Sequence, residues 1–268
     1  MPEGHTLHRL ALDLTEAFGG RPVSVTSPQG RFAESAALLD RSLMIEATAH
    51  GKHLFCEFDA DRFLHIHLGL IGKLIFGPPE PPWGEVRVRI ATPEVAADLR
   101  GPQLCKVQTR AEIDAQIAEL GPDPLRADAD PDVAWRRIRR ATRPIAALLM
   151  DQTILSGVGN VYRAEVLFRN RVNPHRPGQK LSRKSWLGIW SDLVELMPIG
   201  VRDNRIDTVR PEHTPEAMGR PPRRDDHGGE IYVYRRAGMA CWVCGAKVRT
   251  EVLAGRNLFW CGRCQRRG

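Results

Sequence analysis

Cys241-Trp242-Val243-Cys244 and Cys261-Gly262-Arg263-Cys264 close the chain as C-x2-C-x16-C-x2-C, and this stretch decides how the rest is read. Each C-x2-C pair lets two thiolates of one tight knuckle reach the same ion. Sixteen intervening residues suffice for a hairpin that returns the second knuckle to complete a tetrahedron, the spacing of a zinc ribbon. One structural Zn²⁺ held by Cys241, Cys244, Cys261 and Cys264 is therefore expected. A disulfide framework is the alternative, but polar and charged residues begin at Glu3 and leave no room for a secretory h-region. The expectation is a cytoplasmic protein with reduced thiols, in which Cys56 and Cys105, isolated among apolar neighbours, are packing residues.

Around the finger the charge is uneven. Residues 235–268 hold eight basic side chains against the single acid Glu251, a net +7 that equals the net charge of all 268 residues. A basic C-terminus favours a polyanionic partner. The composition, 42% hydrophobic and 26% charged, is that of a globular protein, with no apolar run of membrane-spanning length.

Working back towards the N-terminus, 202–230 is rich in Arg, Asp, Pro and Gly without periodicity and reads as a long mobile loop. Helical patterns fill about 131–200. One stripe runs through Val161, Ala164, Leu167 and Phe168; another, capped by Ser182, runs through Trp186, Ile189, Trp190, Leu193, Val194 and Met197. Gly121-Pro122-Asp123-Pro124 reads as a linker after a short helix at 112–120. From 22 to about 92 the period falls to two, at Val23/Val25, Leu54/Cys56/Phe58, Leu64/Ile66/Leu68 and Val86/Val88/Ile90, which indicates antiparallel strands. Residues 3–19 form an amphipathic helix ended by Gly19-Gly20.

The start, Met1-Pro2-Glu3-Gly4, carries chemistry. Removal of Met1 before a small residue exposes a secondary amine. An α-amino group titrates near ~7.7–8.0, so part of it is nucleophilic at neutral pH, whereas a lysine near ~10.4 must first be depressed. Attack on an aldehyde-like carbon yields an iminium ion that acidifies the adjacent C–H, and Glu3 stands beside it to move protons.

Five segments occur in order: Met1-Pro2-Glu3-Gly4, His50-Gly51-Lys52-His53-Leu54, His67-Leu68-Gly69-Leu70-Ile71-Gly72, Asp151 to Tyr162 with its Ser156-Gly157-Val158-Gly159-Asn160 core, and the four-cysteine finger. In this the chain resembles the bacterial formamidopyrimidine-DNA glycosylase and endonuclease VIII family over essentially its full length. The resemblance implies a multidomain α+β fold: an N-terminal helix with an antiparallel β-sandwich (1–122), a helical helix–two-turn–helix domain (123–232, with the loop 202–230) and a zinc finger (233–268). It implies Pro2 as the nucleophile, Glu3 as acid/base, and Lys52, on a strand facing the cleft, as the catalytic lysine holding a phosphate. Asn160 and Arg256, the latter in the hairpin turn Gly255-Arg256, would converge with Lys52 on one DNA backbone. On this resemblance Leu70 would be the wedge that fills the space of an extruded nucleotide, with core packing as the alternative, and His67 would be a phosphate contact. A dinucleotide-binding reading of Gly157-Val158-Gly159 fails, since Tyr162 stands where a third glycine is needed.

Departures narrow the substrate. Gly4-His5-Thr6 replaces the family's Leu-Pro-Glu, and Asp98-Leu99-Arg100-Gly101-Pro102-Gln103 replaces an Asp-Pro-Arg-Arg-Phe-Gly-like segment; both lean towards the endonuclease VIII branch and oxidised pyrimidines. The alternatives are an oxidised-purine glycosylase and a damage-binding zinc protein of weak catalysis. A monomer acting on damaged double-stranded DNA, with single-stranded or bubble DNA as further candidates, is the expected working form.

Overall fold

The computed structural model describes residues 2–224 and 229–266; Met1, positions 225–228 of the expected loop, and the finger's last two residues, including the basic Arg267, lie outside the described residues. The chain divides into two compact units, Met1–Glu119 and Leu120–Gly268.

In the first unit α1 (Gly4–Phe18) buries Leu7, Ala11, Leu14 and Phe18 at helical spacing and stops at Gly19-Gly20, where Gly20 takes φ +71°. Strands β1 (Arg21–Pro22), β3 (Leu43–His50), β4 (His53–Phe58), β5 (Arg62–His67) and β9 (Leu104–Gln108) form a five-stranded antiparallel sheet in the order β1-β3-β4-β5-β9. Strands β2 (Ser24–Thr26), β6 (Lys73–Gly77), β7 (Val88–Ala91) and β8 (Ala96–Arg100) form a second, ordered β2-β7-β8-β6. Leu54, Cys56, Phe58, Leu64 and Ile66 from the first sheet share one core with Val25, Val88, Ile90, Ala97 and Leu99 from the second and with the apolar stripe of α1. This is the expected sandwich.

Periodicity missed β3, because a register shift between Met44 and Glu46 breaks its alternation, and it missed the short helix α2 (Ala33–Leu39) altogether. The opposite face of β4 and β5 is also covered: Phe55 and Phe63 pack under Ile113 of α3 (Arg110–Ala118), a helix closed by a Thr109–Glu112 capping box. His53, His65 and His67 share that face.

In the second unit α4 (Pro131–Ile138) starts from the Asp130 cap, followed by the single turn α5 (Ile145–Leu148). Helix α6 (Asn160–Arg169) is buried from Asn160 to Phe168, and α7 (Arg183–Asp203) is capped, as expected, by Ser182 accepting from the Ser185 amide. The finger is the two-stranded ribbon β10 (Val248–Leu253) and β11 (Arg256–Cys261). Its Leu258, Phe259 and Trp260 join Tyr162, Phe168 and Trp186 in one continuous core, since a ribbon this small cannot bury an apolar face by itself.

The expected loop at 202–230 is corrected over its described residues. Arg202 and Asp203 belong to α7, a 3-10 turn spans Pro211–His213, and α8 (Pro215–Met218) follows. Ile206 and Thr208 are buried, and Arg220 pairs with Glu230 at 2.7 Å while lying over the Trp242 ring of the finger. Polar anchors hold this segment, and apolar periodicity cannot show them.

The central anchor is Glu165 of α6. Its buried carboxylate accepts from the Tyr232, Val233 and Tyr234 amides at 2.7, 2.8 and 2.9 Å and from the Thr208 hydroxyl at 2.7 Å. It thus ties the strap leading into the finger to the helix beneath it. Glu165→Ala leaves four buried donors without that acceptor, and we expect a loss of about 4 kcal/mol or more in urea unfolding. A loss under about 1 kcal/mol would show that water or a neighbour replaces the carboxylate without cost.

Candidate active site and nucleic-acid interface

In the first unit Pro2 is half-buried, and Glu3, in extended conformation (φ −119°, ψ 178°), is the N-cap residue of α1. The Glu3 carbonyl accepts from the Thr6 amide at 2.9 Å; its side chain makes no capping bond and is 0% exposed. A buried carboxyl group adjoins Pro2, at the positive end of a 15-residue helix dipole. Sequence reasoning treated His5 only as a departure. It is buried, and burial pushes its imidazole down to about 4, so it is neutral at physiological pH.

Lys52 is not on a strand. It occupies the two-residue turn joining β3 to β4, flanked by the cross-strand pair His50 and His53, with Gly51 at φ +58°. A positive φ at the first turn position suits the hairpin twist, and glycine supplies it. The turn lifts the lysine out of the sheet. The His67 imidazole is held below its ordinary value first by burial and then by the Lys52 charge. His67 Nδ1 accepts from the Gly69 amide at 3.1 Å.

The next residues turn outward. Gly69 takes φ +69°, and a Cβ there would meet the Gln103 side chain at 2.8 Å. Leu70 is 52% and Ile71 81% exposed. Two apolar side chains displayed at a glycine-flanked turn cost solvation unless they enter an apolar space elsewhere, so the core-packing alternative for Leu70 is set aside.

In the second unit Gly157 takes φ +83° and Gly159 caps α6, so the helix opens directly after the glycine turn. Asn160 is 4% exposed; its Nδ2 donates to the Asn257 carbonyl at 3.0 Å, and its Oδ1 accepts from Arg163 Nη2. Arg163 Nη2 also reaches the Asn257 carbonyl at 3.0 Å. Asn160 thus joins the α6 N-terminus to β11, one residue from Arg256, a junction to which Arg163 and Asn257 contribute without any signal in the sequence pattern.

The hairpin turn is Ala254-Gly255, both with positive φ (50° and 73°), in the type I′ pattern. Arg256 is corrected from a turn residue to the first residue of β11, paired with Leu253.

The four finger sulfurs lie within 4.8 Å of one another, with Cys241–Cys264 at 3.9 Å and Cys244–Cys261 at 3.5 Å. A tetrahedron with Zn–S bonds of ~2.3 Å has edges of about 3.8 Å, so the donors fit one zinc ion and leave it no open position. Among the described residues this is the one group of three or more His, Cys, Asp or Glu so placed. The Cys56 and Cys105 thiols are pushed up to about 12 by burial, as suits packing residues. No helix among the described residues is long and apolar enough to cross a membrane.

Pro2 beside a buried glutamate, a glycine turn opening a buried helix and a four-cysteine ribbon together suit a DNA repair glycosylase. Three family descriptions match: the formamidopyrimidine-DNA glycosylase N-terminal domain over residues 1–111, its H2TH domain over 120–210, and the zinc finger found in FPG and IleRS over 240–267. The endonuclease 8 1 of Mycobacterium tuberculosis is 49% identical, covering 99% of this chain and 100% of the relative. A formamidopyrimidine-DNA glycosylase of Nocardioides is 31% identical over 86% of this chain and 79% of its own length. The fold is also that of the Lactococcus lactis Fpg solved with abasic-site DNA, at a TM-score of 0.83 and 20% identity, covering 99% of this chain and 100% of that one. The chain belongs to the formamidopyrimidine-DNA glycosylase family, nearer its endonuclease VIII branch, and is a DNA glycosylase/AP lyase of base excision repair.

Proposed function

We propose that the enzyme excises oxidised pyrimidines from duplex DNA through an iminium intermediate on Pro2 and then cuts the strand by β and δ elimination. The observation that carries this reading is the fully buried Glu3 carboxyl group directly after the terminal proline. In the first step the Pro2 nitrogen lone pair bonds to C1′, the N-glycosylic bond breaks with its electrons on the base, and a proton passes to the base. Glu3 then assists sugar-ring opening to the iminium ion. Loss of a C2′ proton expels the 3′ phosphate, and a second elimination expels the 5′ phosphate, leaving phosphates at both ends of a one-nucleotide gap.

Lys52 and His67 are assigned to phosphates beside the lesion, and Leu70 to the space the extruded nucleotide leaves. Asn160 organises the junction at the α6 N-terminus, whose amides suit a phosphate, while Arg256 is assigned to a flanking phosphate. The working division is a catalytic domain at 1–122, a helix–two-turn–helix domain at 123–232 and a finger at 233–268, in a monomer acting on DNA in the bacterial cytoplasm.

The test is a lesion panel. Thymine glycol and 5-hydroxycytosine duplexes should be processed with kcat/KM at least about tenfold above 8-oxoguanine duplexes, equivalent to ~1.4 kcal/mol of transition-state discrimination. A higher value on 8-oxoguanine moves the substrate to oxidised purines; binding without turnover on any lesion makes the chain a damage-binding zinc protein.

A further inference from the structure

The outer face of the five-stranded sheet carries a histidine array that the chemistry above leaves mostly unused. Strand pairing sets His50 opposite His53 and His53 opposite His67, so a row of imidazoles crosses β3, β4 and β5 at the foot of the Gly51-Lys52 turn. His65, fully buried, lies one pair further along the same face, its ring centre 5.0 Å from that of His53. His65 Nδ1 is 2.6 Å from Gln108 Oε1, and His53 Nδ1 is 2.8 Å from His65 Nε2.

These contacts have a direction. A carboxamide oxygen only accepts, so His65 carries its hydrogen on Nδ1. A neutral imidazole has one N–H, so His65 Nε2 is an acceptor and His53 donates to it from Nδ1. His67 accepts the Gly69 amide at Nδ1, which places its hydrogen on Nε2. The His53 ring meets the His67 ring edge-on at 5.0 Å.

We propose that Gln108, His65 and His53 form a hydrogen-bond relay that buttresses the His67 ring, whose Nε2–H tautomer the Gly69 amide sets, making the three positioning residues for backbone binding. The inference rests on the reading in which Lys52 and His67 face a DNA phosphate. Its physical sense lies in the alternatives it removes. A doubly protonated His67 would repel the Lys52 ammonium and a freely rotating one would aim no donor, whereas a neutral ring of fixed tautomer adds a directed donor without adding charge.

The surroundings agree. The groups facing the relay are Lys52 in the turn, His50 on β3, His67 on β5 and Lys106 on β9, opposite His65. From α3, Arg110 lies over Phe63 with its charge held by Glu57 at 2.7 Å, while Glu112 and Asp114 are exposed. Burial first, then the charges of His65, His67, His50 and Lys106, holds His53 at about 3; burial, aided by Lys106 and His67 against the Gln108 hydrogen bond, holds His65 at about 4, so the relay keeps one protonation state from pH 8 to pH 5.

The experiment is long-range ¹H–¹⁵N correlation on the full-length zinc-loaded protein, with wild type and Gln108→Glu compared. Wild type should show Nδ1–H at His53 and His65, unchanged between pH 7.5 and 5.5, and Nε2–H at His67 at pH 7.5. In Gln108→Glu a carboxylate beside His65 favours its doubly protonated form, and His53 should switch to Nε2–H. The variant's Kd for a tetrahydrofuran-containing duplex should then rise about tenfold. Its kcat/KM on abasic DNA should gain an acid limb shifted by at least about one pH unit, with kcat at saturation nearly unchanged. A wild-type His53 or His67 with the opposite tautomer overturns the relay, and so does a variant whose tautomers do not switch. Tautomers as expected with a wild-type Kd and pH profile overturn the positioning role. Because the tautomers and the Kd are read without turnover, a protein that binds but does not cut refutes the assigned chemistry and not the relay.

Discussion

Relative to a chain from which Met1 has been removed, a chain retaining one residue ahead of Pro2 is expected to lose covalent capture of abasic DNA under borohydride by on the order of 10³-fold or more, while its affinity for the same DNA is unchanged. The extra residue converts the proline nitrogen into an amide, whose lone pair is delocalised into the carbonyl and cannot attack C1′. Nothing else changes. Glu3 keeps its place as the N-cap of α1, and Lys52 keeps its turn. The contrast separates nucleophile from scaffold, since a residue needed only for packing would alter binding and capture together. Capture at wild-type rate by the extended chain would move the nucleophile to a side-chain amine.

Removing zinc is expected to have the second large effect. Four thiolates saturate the ion, so its loss removes no Lewis acid from the chemistry; it removes folding free energy, ~10–16 kcal/mol for structural sites of this kind. The ribbon also supplies Leu258, Phe259 and Trp260 to the core of the second unit, and β11 carries the carbonyl that holds Asn160 and Arg163. Treatment with a thiol-reactive mercurial and a strong chelator should release one zinc per chain, abolish the near-ultraviolet signal of Trp242 and Trp260, and weaken DNA binding by ~10²-fold or more. Cleavage should fall with binding and return once excess small thiol has removed the mercurial and zinc is added back. A metal-free chain that keeps its spectrum and activity would contradict this assignment.

Much of this was legible in the sequence, and the parts that were not share physical causes. The α1 stripe from Leu7 to Phe18, the Ser182 cap and the sandwich strands β4 and β5 were visible because burial there follows a period. The bulged β3 was hidden because one irregular residue destroys alternation. The strap after α7 looked structureless because Glu165, Arg169 and Arg220 hold it through polar contacts, which leave no periodic trace.

At the site, spacing identified the four cysteines, since metal geometry constrains it tightly. It could not show that Lys52 sits in a turn, that Asn160 donates to Asn257, or that Arg256 begins a strand. Those follow from register, which single-residue identities do not encode. The histidine relay was not visible, because His53 reaches His65 and His67 across a strand boundary.

The most direct test of the central claim is to locate the trapped carbon. Wild-type protein is reduced with borohydride on abasic DNA, the DNA is digested to its sugar remnant, and the chain is cut with trypsin and sequenced by mass spectrometry. The remnant should lie on the amino-terminal nitrogen of the peptide Pro2 to Arg9, with cleavage after Lys52 undisturbed. A remnant on a lysine, above all one at Lys52 that blocks tryptic cleavage there, would contradict the assignment of Pro2 as the nucleophile.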